Sequence, residues 1–330
     1  MSTLVATVAR YRPPSRFIPV LATLALLLVM YSVGVSQYRA FSSPQVVFNI
    51  FIDNGFLLVV AVGMTFVILT GGIDLSVGSV VAMTAMIIAA LLDAGWAPAL
   101  VMVVALLIGP LLGFLMGCII HYFGIQPFIV TLAGMFFARG MVTLISSVSI
   151  PIADPFWTSM AQTRIRFGDG VFVSPTVVIS LVVVLMAAYV LAYTRLGRSV
   201  YAIGGNQQSA LLMGLPVART KITVYTISGF CSAIGGVLLS FYTLSGLPLI
   251  GVGMELDAIA AVVIGGTLLT GGSGFVLGTL LGVLVLGVIQ TLITFDGSLS
   301  SWWTKIVIGG LLFAFILLQR LIVLRRSRSV

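Results

Sequence analysis

The chain predicts an all-α polytopic membrane protein of about ten transmembrane helices, with both termini in the cytoplasm. Three observations carry this. Of 330 residues, 60% are hydrophobic and only 7% are charged, against about 25% charged in soluble domains; mean hydropathy is +1.24. The apolar residues gather into runs near the ~20 residues a helix needs to cross the hydrocarbon layer. Lys and Arg concentrate in alternate connections, as the positive-inside bias requires. The net charge of +8 follows from that topology. The basic residues are scattered between apolar runs, with no basic patch interleaved with aromatics, so membrane lipid and not nucleic acid is the expected surrounding.

In chain order, residues 1–16 form a cytoplasmic segment carrying Arg10, Arg12 and Arg16. The run FIPVLATLALLLVMYSVGVS follows. It exceeds the ~7–15-residue core of a signal peptide and no A-x-A site follows it, so 17–36 reads as a retained first span. Further spans are expected at 46–69, 76–92, 98–121, 126–146, 172–193, 221–244, 256–270, 275–295 and 302–320, the third and eighth of the ten being short. Together, 17–320 form one transmembrane permease-like domain, and 321–330 is a basic cytoplasmic tail. Two connections are long: 147–171 outside and 194–220 inside. With the N-terminus inside, eleven Lys and Arg are cytoplasmic and three (Arg39, Arg164, Arg166) are outside. Trp96, Trp157, Trp302 and Trp303 then fall on the outer side, and Tyr122, Tyr193, Tyr201 and Tyr225 near the inner boundary, as interfacial anchors would. Cys118 and Cys231 each lie in an apolar run and read as small apolar filler.

One stretch breaks the apolar pattern: ILTGGIDLSVGS, residues 68–79. Gly71 and Gly72 suit a helix end, and Asp74 or Ser76 suits the cap of the next helix. The stretch therefore reads as a helix–turn–helix at the inner boundary. An ionisable group at membrane depth also faces a cavity or partner, so Gly71, Gly72, Asp74 and Ser76 are the candidates for a translocation path or gate. Residues 61–79 and 261–279 share AV…LTGG…G[ST] at an offset of 200 residues. Both copies are expected to end one span and start the next, as in duplicated transporters.

Several chemistries lack their residues. Apart from Arg139, no charged side chain sits deep within an expected span; Asp53, Asp93, Glu255, Asp257 and Lys305 all lie near outer ends. His121 falls at an inner turn. A proton-coupled carrier needs a deep carboxylate or histidine relay. Lys221 and Lys305 each follow a threonine, so the GxxxxGK[ST] phosphate loop is missing. No Cys/His metal spacing, DxxD cluster or nucleophile–base pairing is evident, so neither an enzyme nor a bound cofactor is expected. An ion- or proton-coupled secondary carrier remains the alternative to a transport protein powered by a partner.

Four blocks carry a resemblance: AVGMTFVILTGGIDLSVGS (61–79), PFIVTLAGMFFARG (127–140), YAIGGNQQSALLMGLPV (201–217) and ELDAIAAVVIGGTLLTGGSG (255–274). In this order they resemble the permease subunits of bacterial sugar ABC importers of the ribose/galactose/xylose type, over about residues 45–320. The segment TFDGSLSSWWTKIVIG (294–309) and the block MFFARG most resemble the galactofuranose importer's permease. The resemblance implies the ABC importer permease fold in the bacterial inner membrane. It also implies three partners: a second permease (homologous or identical), a periplasmic sugar-binding protein, and an ABC ATPase that supplies the energy. Loop 194–220 then resembles the coupling helix that docks on the ATPase. Its residues are Gly205, Asn206, Gln207, Gln208, Ala210, Leu211, Gly214 and Pro216, and the glutamate common at that motif is absent. Independently of the resemblance, Gln207–Met213 reads as a short helix ended by Gly214 and Pro216.

Overall fold

The computed structural model describes residues 17–167, 170–298, 300 and 302–327. The expected cytoplasmic segment 1–16 and the last three residues of the basic tail lie outside the described residues. The described helices are α1 (Ile18–Gln37), α2 (Pro44–Leu69), α3 (Val77–Asp93), α4 (Pro98–Tyr122), α5 (Pro127–Ile145), α6 (Pro155–Gln162), α7 (Pro175–Tyr193), α8 (Arg195–Gly205), α9 (Gln207–Leu212), α10 (Val217–Thr243), α11 (Met254–Ile264), α12 (Val276–Asp296) and α13 (Trp302–Ser327). Five of them open on proline. Proline's fixed φ suits the first helical position, and its missing N–H is not needed there. Seven helices are long and apolar enough to cross a membrane: α1, α2, α4, α5, α7, α10 and α12. Val77–Asp93 and Trp302–Leu317 are shorter apolar helical stretches.

The expected span 256–270 is corrected. Helix α11 covers 11 residues, about 16 Å at 1.5 Å per residue, well short of the ~30 Å hydrocarbon layer. It stops because Gly266 adopts φ 92°. The Thr267 N–H then bonds back to the Val262 carbonyl (3.1 Å) and the Gly266 N–H to that of Val263 (2.9 Å), a Schellman cap. Helix α2 ends in the same way. Gly71 has φ 79°, and the N–H groups of Gly72 and Gly71 bond to Val67 (3.1 Å) and Ile68 (2.9 Å). The second helix stop is therefore at Gly265–Gly266, before the second LTGG. The two LTGG turns nonetheless touch, through Gly272 N–H on the Leu69 carbonyl at 2.9 Å.

Helix α2 is the buried centre, with every residue from Leu57 to Leu69 covered. It packs against α7, α10, α11 and α12; α10 packs in turn against α3 and α4. On the α4 side, the α4–α10 seam is lined by glycine. Gly109, Gly113 and Gly117 recur every four residues, and a methyl at Gly109 or Gly113 would run into the backbone carbonyl of Gly229 or Tyr225. Such small-residue stripes let helix backbones approach closely in lipid. The Thr65 and Thr279 hydroxyls join α2 to α12 at 2.7 Å, and the Thr23 hydroxyl reaches the Ile264 carbonyl from α1. Peripheral helices keep apolar outward faces, among them Leu28, Leu107, Leu111 and Phe136.

One end of the bundle holds the end of α2, the starts of α10 and α12, and the segment 194–216. The other holds α6 and two short antiparallel pairs: β1 (Ile150–Pro151) with β4 (Ser245–Gly246), and β2 (Ile165–Arg166) with β3 (Phe172–Val173). Asp154 caps α6 by accepting from the N–H groups of Phe156 and Trp157. Trp157 is fully buried against Phe241 and donates its indole N–H to Ser240 Oγ at 2.9 Å. It plugs the bundle, contrary to the expected interfacial anchor; Tyr225, 1% exposed, is likewise interior. Trp96, Trp302 and Trp303 are exposed as expected. Arg139 donates to the Ile250 carbonyl at 2.7 Å, which satisfies the one charge expected deep in a span.

Candidate functional site

The expected coupling segment folds as a compact, externally exposed unit. Thr194 begins α8 by accepting from the Gly197 N–H. Asn206 begins α9 by accepting from the Ser209 N–H at 2.9 Å. Gly214, at φ 75°, ends α9: its N–H bonds to Leu211 (3.0 Å) and that of Leu215 to Ala210 (3.1 Å). The expected helix Gln207–Met213 is thus found one residue shorter. Ala210 is fully buried with Ile203 and Val217, anchoring α9 to α8 and α10. Gly205, Asn206, Gln207 and Gln208 are exposed. Leu211, Leu212 and Met213 are 62%, 89% and 69% exposed, so three apolar side chains stand out on a rigidly seated helix.

Helix α8 connects this surface to both LTGG turns. Gly204 lies so close to them that a methyl there would strike the Leu69 carbonyl oxygen and the Gly272 amide nitrogen. The Tyr201 hydroxyl donates to the Gly274 carbonyl at 2.9 Å. Burial pushes the Tyr201 phenol above its usual pKa, so the hydroxyl remains a donor. A displacement of α8 is therefore felt at the end of α2 and at the segment leading into α12.

Of the four expected path residues, Gly71 is exposed while Gly72, Asp74 and Ser76 are buried. Asp74 Oδ1 accepts from the Ser76 N–H (3.0 Å) and hydroxyl (2.6 Å), and Oδ2 accepts from the Ser228 hydroxyl (2.7 Å). The carboxylate therefore braces the residue that starts α3 and ties this turn to α10. The Tyr225 hydroxyl lies where a Gly72 side chain would begin, so a larger residue there would have to displace that ring. The four residues gather at one turn whose chemistry is bracing.

A second polar region was not anticipated. At the opposite end, α2, α10, α12 and α13 surround a cavity of about 800 Å³ that includes Asn49, Asp53, Tyr242, Gln290 and Lys305. The Tyr242 hydroxyl donates to Asp53 at 3.1 Å, and Lys305 pairs with Asp257 at 2.6 Å. A sequence signal existed in Asn49 and Asp53, four residues apart and so on one helix face. The other members come from distant segments.

Residues 46–316 match the family described as "Branched-chain amino acid transport system / permease component". Among curated proteins, the chain is 48% identical to the inner membrane ABC transporter permease protein YjfF of Escherichia coli K12, over 92% of each chain. It is 42% identical to the fructose import permease protein FruG of Bifidobacterium longum (92% of this chain, 91% of that one). It is 40% identical to the ribose import permease protein RbsC of Haemophilus influenzae (80% and 81%). No solved structure matches. The resemblance drawn from the four sequence blocks is borne out, and the chain is a multi-pass protein of the bacterial inner membrane.

Proposed function

Because the chain belongs to the branched-chain amino acid transport system / permease component family, we propose that it is one permease subunit of an ATP-driven importer of monosaccharides. A second permease completes the membrane pair, a periplasmic binding protein delivers sugar, and an ATPase docks on α9. The relatives named for fructose and ribose import support the substrate class. Galactofuranose heads the panel to be assayed, on the strength of residues 294–309 and MFFARG. The observation that carries the reading is the outward triad Leu211–Met213, seated on a buried Ala210 and continued by α8 into both LTGG turns. Exposed apolar groups bounded by polar ones mark an interface.

The test is co-expression with the partner subunits and uptake of labelled sugars, comparing wild type with Leu212→Asp. Leu212 is almost fully exposed, so the exchange leaves the fold alone. Burying a leucine is worth about 1.5–3 kcal/mol, and every 1.4 kcal/mol is tenfold in affinity. Docking therefore weakens roughly 10- to 150-fold, and uptake falls with ATPase co-purification. Wild-type uptake together with a wild-type ATPase complex in Leu212→Asp sinks the docking assignment. Uptake that stops with an uncoupler at constant ATP would instead favour a secondary carrier.

A further inference from the structure

We infer that the polar cavity at the end of the bundle remote from α9 is a binding chamber for a neutral, polyhydroxylated ligand, the sugar in transit; the inference rests on the permease reading. Its first support is position. Asp53 sits nine residues into α2, about 14 Å along the axis, and is exposed, as is Asn49. Both belong to a helix whose remaining length is the apolar centre of the molecule. Polar and ionisable groups at the mouth of such an apolar bundle face water-filled cavities or partners and not lipid.

The second support is chemistry. Among the described residues, the one ammonium lining this cavity, that of Lys305, is occupied by both carboxylate oxygens of Asp257, at 2.6 and 2.8 Å. Asp53 has a tyrosine hydroxyl for a partner. No cation is left over for an anionic ligand, and among the described residues no His/Cys/Asp/Glu group could hold a metal. What remains is matched to hydroxyls. The carboxamides of Asn49 and Gln290 each offer both donors and an acceptor. Asn49 Oδ1 is already fixed by Gln45 at 2.8 Å, which leaves its NH₂ group to donate. The Tyr242 and Phe56 rings lie 6.1 Å apart and give the cavity flat apolar faces against which a sugar's C–H face can rest. The volume of about 800 Å³ lies within the ~300–1,000 Å³ typical of small-molecule sites.

The experiment uses the complete importer and whichever of galactofuranose, D-ribose, D-fructose, D-allose and D-galactose the wild-type complex accumulates. Gln290→Leu and Asn49→Leu should each cut uptake tenfold or more while all subunits still co-purify. Asp53→Asn, which keeps hydrogen bonding without charge, should retain at least half. In a background of Cys118→Ala and Cys231→Ala, Thr294→Cys should react with an impermeant thiol reagent and be protected by the transported sugar. Wild-type uptake by both leucine variants overturns the chamber, as does Thr294→Cys labelling that sugar leaves unchanged. Loss of the second permease from the purified complex also overturns it and assigns the polar face to subunit packing. A wild-type complex that accumulates no sugar contradicts the permease reading instead.

Discussion

Gly204→Ala isolates the mechanical link between the proposed docking segment and the bundle. The added methyl meets the Leu69 carbonyl and the Gly272 amide, both main chain, so no rotamer can swing away. Forcing a methylene into a filled site costs about 1–3 kcal/mol. The Gly272–Leu69 hydrogen bond, 2.9 Å long, lies at the same point, and losing it adds about 0.5–1.5 kcal/mol. A total of roughly 1.5–4.5 kcal/mol shifts the balance between seated and displaced α8 by about 10- to 1,600-fold. The exposed triad on α9 is untouched, so the ATPase should still co-purify while sugar moved per ATP hydrolysed collapses. Gly205→Ala supplies the stability control, because a methyl there meets open space. In detergent, the unfolding temperature of the permease should drop for Gly204→Ala and stay put for Gly205→Ala. Equal unfolding temperatures, or a wild-type transport-to-hydrolysis ratio in Gly204→Ala, would refute the argument.

Two other outcomes are expected. Asp74→Asn keeps an oxygen for the Ser76 donors and leaves Ser228 free to turn and accept, so folded yield and uptake should stay near wild type. Asp74→Leu strands three buried donors at about 1–3 kcal/mol each and should lower folded yield sharply; abolished transport by well-folded Asp74→Asn would show that the charge itself acts. For topology, Ser159→Cys and Ser209→Cys, both exposed, should be labelled from opposite faces of the membrane in a cysteine-free background. Labelling of both by an impermeant reagent on intact spheroplasts would reject the orientation.

Hydropathy located most helices because the apolar runs coincide with the helical ones. It misread 256–270 because IGGTLLT stays apolar across the point where the helix stops. Only the backbone angle at Gly266, which hydropathy does not see, ends α11 at Ile264. The short helix at Gln207 was legible to within a residue, since Asn206 and Gly214 act through local hydrogen bonds that sequence neighbours dictate. Trp157 was misplaced because composition says which side of the bilayer a tryptophan approaches, not that Ser240 waits for its N–H. The polar cavity was legible only in the Asn49–Asp53 pair on one face of α2, for a similar reason. Asn49, Tyr242, Gln290 and Lys305 are brought together by helix packing alone, and each looks ordinary in its own segment.

The stripe of Gly109, Gly113 and Gly117 against α10 has a mechanical consequence. Two rods in main-chain contact cannot roll past each other, since any rotation drives a carbonyl into a Cα. The pair is geared together and behaves as a single stiff lever. Freedom to bend is then left to glycine-jointed turns outside the pair, such as 70–76 and 265–275, where Gly71, Gly266, Gly271 and Gly272 hold backbone angles that other residues resist. Helix α8 meets the chain at those turns and not along the geared pair, since Gly204 abuts the Leu69 carbonyl and the Gly272 amide.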